Sequence, residues 1–273
     1  MKIRETLKRY KSNRIVYIAW YTALGLICFL QRTVFFVKSH WLYLFSRQSA
    51  QIKSFQNKYA GERCFIVATG PSLTYEDLEL LKDEYTFSMN SLVLGFEHTQ
   101  WRPSFYGIQD ENVYEKVEHA LLESNLQHVF VSNHIAAKYN VPSAWTVFQL
   151  DYLNQRMETS LHNHYYTKFS ENFALKAYNG YTITYTLIQL AYYMGFKEIY
   201  LLGCDCNYVK GEKQHFIEHG HHDPTFETAK DRMFAAYKEA KVFGDSHNLK
   251  IYNATRGGVL EIFPRVCLEE VLK

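Results

Sequence analysis

The chain has 273 residues, 47% of them hydrophobic and 21% charged, and its formal net charge is +2. This composition excludes a disordered chain and fits one folded domain with an extension. The small net charge, with no clustered basic stripe in the body of the chain, argues against a nucleic-acid partner. The five cysteines are odd in number and follow no disulfide framework, which indicates a reducing compartment and hence the cytoplasm.

Residues 1–60 form the extension, which has a basic start and an apolar continuation. The first 14 residues hold six basic side chains and one acidic one, and residues 15–31 then carry no charge. That run is shorter than the ~20 residues of a spanning helix, and Arg32 and Lys38 interrupt the apolar residues after it. The pattern favours an interfacial helical hairpin or short anchor on anionic lipid. Amphipathic helices packed on the catalytic domain are the alternative.

In residues 61–273, short apolar runs alternate with helical patterns. This alternation predicts a Rossmann-like α/β domain, with a largely parallel sheet and helices on both faces. The predicted strands are residues 64–68, 86–89, 105–108, 128–132, 197–203 and 250–253. Helices are predicted over 181–194, stopped by Gly195, and over 225–243, after Asp223 and Pro224. The polar, aromatic stretch 151–179 predicts a lid subdomain.

The first two strands end in candidate nucleotide-binding residues. The first strand runs into Thr69-Gly70-Pro71-Ser72, and a helical pattern comes directly after it. Because helix N-termini at the carboxyl ends of parallel strands bind phosphate, and glycine allows close backbone approach, this turn is a candidate phosphate site. Asn90 ends the second strand, where contacts to a base or ribose occur in such folds. Both features are also ordinary turn formers.

The fifth strand ends in Gly203-Cys204-Asp205-Cys206-Asn207-Tyr208, which brings Asp205 to the same edge of the sheet. A lone carboxylate is a poor Mg²⁺ or Mn²⁺ site, so chemistry without a metal or other cofactor is expected. His215, His219, His221 and His222 come next, and zinc binding with the cysteines is an alternative whose spacing fits no standard module. An imidazole with an ordinary pKa is suited to deprotonate a hydroxyl.

These motifs, in this order, resemble those of the bacterial sialyltransferases of glycosyltransferase family 42. They also resemble the related motility-accessory-factor and pterin-pyrophosphokinase-like family. The resemblance spans about residues 63–252 and includes Gly70 to Leu73, Asn90, the run 195–205 and the segment 215–219. It implies that the glycine turn and Asn90 bind a cytidine nucleotide, and that His219, the second histidine of its motif, is the general base.

The resemblance also implies donor contacts from Thr182 and Thr184 before the central helix, and a phosphate contact from Tyr208. Two departures weaken cytidine specificity, because Thr69 and Asn207 stand where the sialyltransferases have Asn and Tyr. In the closing segment, Arg256 is a candidate ligand for a phosphate or carboxylate, or else an anchor for the C-terminus.

The sequence thus predicts an inverting, metal-independent glycosyltransferase that extends a surface glycan, with a CMP-activated nonulosonic acid as the favoured donor. Its expected partners are a nucleotide-sugar donor, a glycan acceptor and, through the N-terminus, the cytoplasmic face of a bacterial inner membrane; a homo-oligomer is left open. The alternatives are an ATP-dependent pterin pyrophosphokinase-like enzyme and a non-catalytic protein of envelope-polysaccharide assembly.

Overall fold

The computed structural model describes residues 14–155, 164–208, 215–217 and 228–273. The strands are β1 (Arg63–Val67), β2 (Thr86–Met89), β3 (Phe105–Ile108), β4 (Val129–Ser132), β5 (Thr146–Phe148), β6 (Leu150–Asp151), β7 (Ala177–Tyr178), β8 (Glu198–Leu202) and β9 (Lys250–Asn253). Seven of them form one sheet in the order β5-β4-β3-β2-β1-β8-β9, and β6 pairs with β7. Every pairing is parallel.

The α-helices are α1 (Arg14–Phe45), α2 (Arg47–Lys53), α3 (Tyr75–Leu80), α4 (Glu111–Glu123), α5 (Asn133–Lys138), α6 (Ile183–Met194), α7 (Ala229–His247) and α8 (Leu268–Val271). Two 3₁₀-helices, Asn90–His98 and Leu153–Gln155, complete the described elements. Helices α2, α6 and α7 pack on one face of the sheet, and α3, α4, α5 and α8 on the other.

Strand β1 shows why both faces are covered. Cys64 and Ile66 lie in the core under α6, whereas Phe65 and Val67 lie in the core on the opposite face. Alternate side chains of a strand point to opposite faces, so a strand that is apolar throughout needs helices on both sides. The predicted Rossmann-like α/β fold is therefore confirmed.

The predicted strands agree with the structure to within one residue at each end, and β2, β3 and β9 have the expected bounds. Gly195 has φ 101° and ends α6, as predicted. Helix α7 ends at His247, four residues past the predicted end. The next residue, Asn248, caps it in the left-handed conformation at φ 53°. Asp223 and Pro224, expected at the start of this helix, lie outside the described residues.

The predicted N-terminal hairpin is wrong, because α1 is one uninterrupted helix of 32 residues. Arg32 and Lys38 lie within it, since exposed charged side chains do not interrupt helical backbone hydrogen bonding. By length and composition alone, α1 is able to cross a membrane. The core also includes Ile52 and Phe55, so the residues just before β1 pack with the sheet.

The strand order creates a topological switch point. The chain proceeds from β1 to β2 on one side and returns with β8 on the other, so β1 pairs with both β2 and β8. In open α/β sheets, ligands bind in the crevice that such a reversal opens at the carboxyl ends of the strands. We call the loops after β1 and β8 the β1–β8 rim, and the residues directly after β2, β3 and β4 the β2–β4 rim.

Candidate active site

The two strongest sequence motifs meet at the β1–β8 rim. The backbone N–H of Gly70 donates to the Gly203 carbonyl at 2.8 Å, and Ser72 Oγ donates to Asp205 Oδ2 at 2.9 Å. A Cβ on residue 70 would lie 2.0 Å from that carboxylate oxygen and 2.4 Å from the Gly203 carbonyl oxygen. A side chain at residue 70 would therefore collide with Asp205 and Gly203. The sequence-based explanation for the glycine was instead the close approach of a ligand.

The first turn of α3, which is part of the predicted phosphate site, already makes local hydrogen bonds, and phosphate binding there stays a prediction. Thr74 accepts from the backbone N–H of Asp77, and the Asp77 carboxylate accepts from the backbone N–H of Thr74, which makes a capping box. Free N–H groups are what an anion needs at a helix N-terminus. Here the N–H groups of Thr74 and Asp77 already donate hydrogen bonds within the capping box. The Asp77 carboxylate also lies at the N-terminus of this six-residue helix.

Asp205 is a buried carboxylate that holds the rim together. Its burial raises its pKa, and hydrogen bonds from the Ser72 hydroxyl and backbone oppose that shift, as does the charge of Arg265. The Asp205 carbonyl accepts from Val259 N at 2.8 Å, and Gly258, at φ 70°, packs against the Asp205 backbone. Asp205 and Ser72 thus position the turn after β1, and direct contact with a donor stays a prediction for both.

The loop after β8 turns sharply. Gly203 and Cys206 have φ values of 66° and 53°, and Cys204 N donates to Thr255 Oγ1 at 2.9 Å. Burial raises the pKa of Cys206 to about 12 and raises that of Cys204, so both thiols are neutral groups. In the part of the chain that the structure describes, no group of three or more His, Cys, Asp or Glu side chains could hold a metal ion.

Asn90 differs from these internally bonded residues. It adopts φ 52°, which asparagine tolerates better than most residues, and its carbonyl accepts from the Tyr106 hydroxyl. Its side-chain Oδ1 is buried and has no hydrogen-bond partner, and the same is true of the neighbouring Ser91 Oγ. Other described side chains, among them Ser88 and Trp101, also have buried unpaired atoms, so it is the position of Asn90 at the carboxyl end of β2 that makes its amide a candidate ligand contact.

Thr182 and Thr184, at the start of α6, have structural partners. Thr182 Oγ1 accepts from Thr184 N at 3.3 Å and so caps α6. Thr184 is buried, and its Oγ1 lies 3.5 Å from the sulfur of Met89, the residue before Asn90. The structure therefore brings both threonines to the predicted site, and their contact with a donor stays a prediction.

The histidine segment returns to the glycine turn. The backbone N–H of Phe216 donates to the Thr69 carbonyl at 2.7 Å, and the ring of Phe216 packs edge-on against Tyr75. Ile217 fills the space that a side chain on Gly95 would need. His219, the predicted general base, lies two residues beyond the described segment 215–217, and His221 and His222 also lie outside the described residues. Its role remains a prediction, although the segment before it is fixed at Thr69.

Arg256 has protein carboxylates as partners. Its Nη1 donates to Asp77 at 2.6 Å and its Nη2 to Glu269 at 2.8 Å, which ties α3 to α8. This geometry fits the anchoring alternative rather than a role in binding substrate. Tyr208 donates its hydroxyl to the Met233 sulfur at 3.3 Å, so the loop that carries Asn207 and Tyr208 lies against α7.

Three features escaped the sequence reasoning. Lys230, near the start of α7, lies close enough to lower the pKa of Cys206 against the effect of burial, and the Arg232 guanidinium lies 5.9 Å from the Tyr181 ring. Basic residues early in α7 were visible in the sequence, but their approach to this rim depends on tertiary packing. The third feature is a cavity of about 270 Å³ at the β2–β4 rim, lined by Gln109, Asp110, Glu111, Asn112, His134 and Tyr152.

Gln109 fixes the floor of that cavity. Its side-chain oxygen accepts from Thr186 Oγ1 at 2.7 Å, and its carbonyl accepts from Ser132 Oγ at 3.0 Å. The rings of His134 and Tyr152 meet edge-on, so a residue of the predicted lid closes one side. Within the predicted lid, residues 156–163 lie outside the structural description, and the described part includes β7, the end of β6 and the 3₁₀-helix Leu153–Gln155.

Comparisons with known proteins match one family model and several solved structures. The model of the family "6-hydroxymethylpterin diphosphokinase MptE-like" matches residues 43–211. The MAf glycosyltransferase of Magnetospirillum magneticum AMB-1 is 14% identical with a TM-score of 0.48, over 81% of this chain and 38% of that one. The sialyltransferase CstII of Campylobacter jejuni, solved with the substrate analogue CMP-3FNeuAc, is 13% identical with a TM-score of 0.47, over 75% of this chain and 86% of that one.

Among curated protein sequences there is no match. This chain spans well under half of the MAf glycosyltransferase. The family match, in contrast, spans more than half of this chain and confirms the resemblance to the pterin-pyrophosphokinase-like proteins. It covers β1 to β8, the β1–β8 rim and Asn90. The chain belongs to the 6-hydroxymethylpterin diphosphokinase MptE-like family.

Proposed function

We propose that this protein is an inverting glycosyltransferase that takes a nucleotide-activated sugar, of the CMP type, and transfers the sugar to a glycan hydroxyl. The observation that carries the proposal is the buried, unpartnered amide oxygen of Asn90 at the carboxyl end of β2, beside the topological switch point. An amide there can bind a nucleoside, and the cavity at the β2–β4 rim can hold a sugar ring.

The charges around the crevice indicate how the donor lies. At the β1–β8 rim, Ser72 and the first turn of α3 already bind carboxylates. The first turns of α7 instead carry Lys230 and Arg232, next to the loop that holds Tyr208. We therefore place the nucleoside near Asn90 and the phosphate towards α7, where cations stabilise the departing nucleotide.

His219 is the proposed general base, which takes the proton of the acceptor hydroxyl as the anomeric C–O bond of the donor breaks. The fixed position of Phe216 at Thr69 supports this, because His219 is only the third residue after Phe216. A chain of three residues reaches about 10 Å, so this imidazole can enter the crevice. No metal is needed for such a transfer when cationic side chains neutralise the leaving phosphate.

We further place the protein at the cytoplasmic face of a bacterial inner membrane, held by α1. The outer surface of α1 exposes large apolar side chains, among them Ile15, Phe29 and Leu30. In water such a surface is unfavourable, whereas lipid accommodates it.

A second candidate function is favoured by the family match itself, whose description names a diphosphokinase. Transfer of pyrophosphate from ATP to a pterin alcohol would use the same crevice. It normally requires Mg²⁺ held by several carboxylates. Within the described residues, Asp205 is the buried carboxylate at the β1–β8 rim, and Asp77 nearby is engaged by Arg256.

Thermal shift measurements on the purified protein with CMP, CDP, UDP, GDP and ATP, each with and without Mg²⁺, separate these functions. A ligand that binds the folded state at 100 times its Kd adds about 2.7 kcal/mol of stability, which is readily detected. We expect CMP to raise Tm most and Mg²⁺ to make no difference. A rise with ATP and Mg²⁺ alone would support the diphosphokinase. No rise with any nucleotide would favour a non-catalytic role in envelope-polysaccharide assembly.

A further inference from the structure

The cavity at the β2–β4 rim adjoins the proposed nucleoside contact. Strands β2 and β3 pair in parallel with Met89 opposite Gly107, so Asn90 and Gln109 directly follow the carboxyl ends of neighbouring strands. Neighbouring strands lie about 4.8 Å apart. A group attached to a nucleotide that binds at Asn90 can therefore reach this cavity.

Gln109 presents a fixed hydrogen-bond donor to the cavity. The residue is only 7% exposed, and its side-chain oxygen accepts from Thr186 Oγ1 at 2.7 Å. That bond directs the nitrogen of the same amide, Nε2, away from Thr186. Gln109 lines the cavity, and none of the described residues accepts a hydrogen bond from Nε2. A donor at so buried a residue is costly to leave unpaired, so a ligand that supplies an acceptor is stabilised here.

Two carboxylates border the same cavity, and among the described residues that line it there is no lysine or arginine. Asp110 caps α4, with Oδ1 accepting from two backbone N–H groups of the first turn. Glu111 lies 3.4 Å from Lys138 Nζ, which offsets part of its charge. Burial raises the pKa of Tyr152, and the charges of Asp110 and Glu111 raise it further. The negative field of these carboxylates thus reaches a side chain that lines the cavity.

This combination of groups disfavours ligands that carry a charge. An ammonium group only donates hydrogen bonds, so it would leave Gln109 Nε2 without an acceptor. A carboxylate only accepts, and it would face Asp110 and Glu111 without a cation to offset the repulsion. A hydroxyl does both, because its oxygen can accept from Gln109 while its proton is donated to Asp110. An acylamino group, with one carbonyl and one N–H, has the same capacity.

We propose that this cavity selects an uncharged hydroxyl or acylamino group at the end of the donor sugar remote from the phosphate, through Gln109 and Asp110. The inference rests on the proposed glycosyl transfer. A carboxylate beside the anomeric carbon is compatible with it, because that carbon is bonded to the phosphate, which lies towards Lys230 and Arg232 in the proposed arrangement. The ring of Tyr152 adds an aromatic wall against which the C–H groups of a sugar can pack.

Isothermal titration with three CMP-linked donors tests the selection. The first is CMP-N-acetylneuraminic acid, whose end remote from the phosphate carries hydroxyl groups. The other two are its analogues with an amine or a carboxylate in place of the terminal hydroxyl, and CMP alone measures the nucleotide contribution. We expect the hydroxyl-ended donor to bind about tenfold more tightly than either charged analogue, since each of these leaves a polar group of the cavity unpaired or opposed.

Replacement of Gln109 by Met removes Nε2 and keeps a side chain of similar length. It should weaken the hydroxyl-ended donor about fivefold and leave the affinity for CMP alone unchanged. Because Met also gives up the bond with Thr186, the structural control is Thr186→Val, which removes the same bond and retains Nε2. Equal losses of donor affinity in both variants would assign the effect to that internal bond and overturn the role of Nε2.

Replacement of Asp110 by Asn tests the charge selection. Asparagine caps a helix as well as aspartate does, so α4 should be retained. The carboxylate-ended analogue should then bind within about threefold of the hydroxyl-ended donor, since one of the two opposing charges is gone. Glu115→Gln, an exposed change of equal charge further along α4, should keep the preference of the parent.

A parent protein that binds all three donors equally, or binds a charged analogue best, would overturn the inference even where CMP itself binds. An unchanged preference in Asp110→Asn would overturn the part assigned to that carboxylate. No binding of CMP or of any donor would instead contradict the proposed function on which the inference rests.

Discussion

The two rims of the sheet use their polar residues differently. At the β1–β8 rim, Gly70 is bonded to Gly203, and Ser72 to Asp205. At the β2–β4 rim, Asn90 Oδ1 and Ser91 Oγ are buried without partners, next to the strand that leads to the polar cavity. The residues with the clearest sequence motif thus bond to one another across the crevice, and we propose that the ligand binds beside them. Four predictions test this division, in order of decreasing effect.

Replacement of His219 by Ala should have the largest effect, a 10²–10⁴-fold loss of transfer rate, or about 3–5 kcal/mol of transition-state stabilisation. The rate of CMP release from the donor in the presence of native membranes measures it. His215→Ala is the matched control, because it alters the same segment on the near side of Phe216. A variant at position 219 that stays within tenfold of the parent would show that another group takes the proton.

Replacement of Gly70 by Ala should lower the free energy of unfolding by about 1–3 kcal/mol, because the added Cβ meets Asp205 and the Gly203 carbonyl. Denaturant titration measures the loss. Gly257→Ala is the comparison, since its added Cβ meets no atom within 4 Å and any loss there reports the left-handed φ of 69° rather than a contact. If Gly70→Ala is as stable as the parent and loses only nucleotide binding, the ligand explanation for this glycine is restored.

Replacement of Asn90 by Gly should weaken nucleotide binding about fivefold, since one net hydrogen bond contributes about 1 kcal/mol. Glycine accepts the left-handed backbone, so the change removes the amide without backbone strain. Asn125→Gly, at φ 51° on the opposite edge, controls for the loss of chain stiffness. Isothermal titration with CMP should separate the two variants, and equal affinities would remove Asn90 from the binding site.

Replacement of Asp205 by Asn should have the smallest effect, a change in how stability depends on pH. Burial raises the pKa of Asp205 above its ordinary value of 3.8, so the folded state prefers the protonated form. The associated stability is complete below that value and is lost as pH rises through the folded pKa. The Asn variant, which cannot ionise, should therefore match the parent near pH 3 and equal or exceed it near pH 7. Lower stability of the variant at pH 7 alone would show that the carboxylate's bonds to Ser72 outweigh its burial.

Much of the framework was predictable because the strands are apolar on both faces, as in β1, and the turns contain distinctive residues such as Gly195. That Gly70 and Asp205 share an edge of the sheet was expected, since the carboxyl ends of parallel strands lie together, whereas their direct contact depends on the pairing of β1 with β8 and was not predicted. The three-residue strand β5 was missed because so short an edge strand leaves little periodic signal.

The site itself was less predictable, since partner choice depends on tertiary contacts. Arg256 faces Asp77 and Glu269 only because α3 and α8 converge. The cavity combines Gln109, directly after β3, and His134, in α5, with Tyr152, directly after β6, so it joins three separate segments of the chain. For α1, local charge density was a poor guide, because Arg32 and Lys38 are compatible with a continuous helix.

The turnover of the donor tests the central claim most directly. Purified full-length protein is incubated with CMP-N-acetylneuraminic acid, native membranes and EDTA, and release of CMP is measured in parallel with a reaction that contains ATP, Mg²⁺ and 6-hydroxymethylpterin. The account predicts that CMP is released, that membranes accelerate its release, and that Asn90→Gly slows it while Asn125→Gly does not. Formation of AMP from ATP and the pterin, with no CMP released, would contradict it.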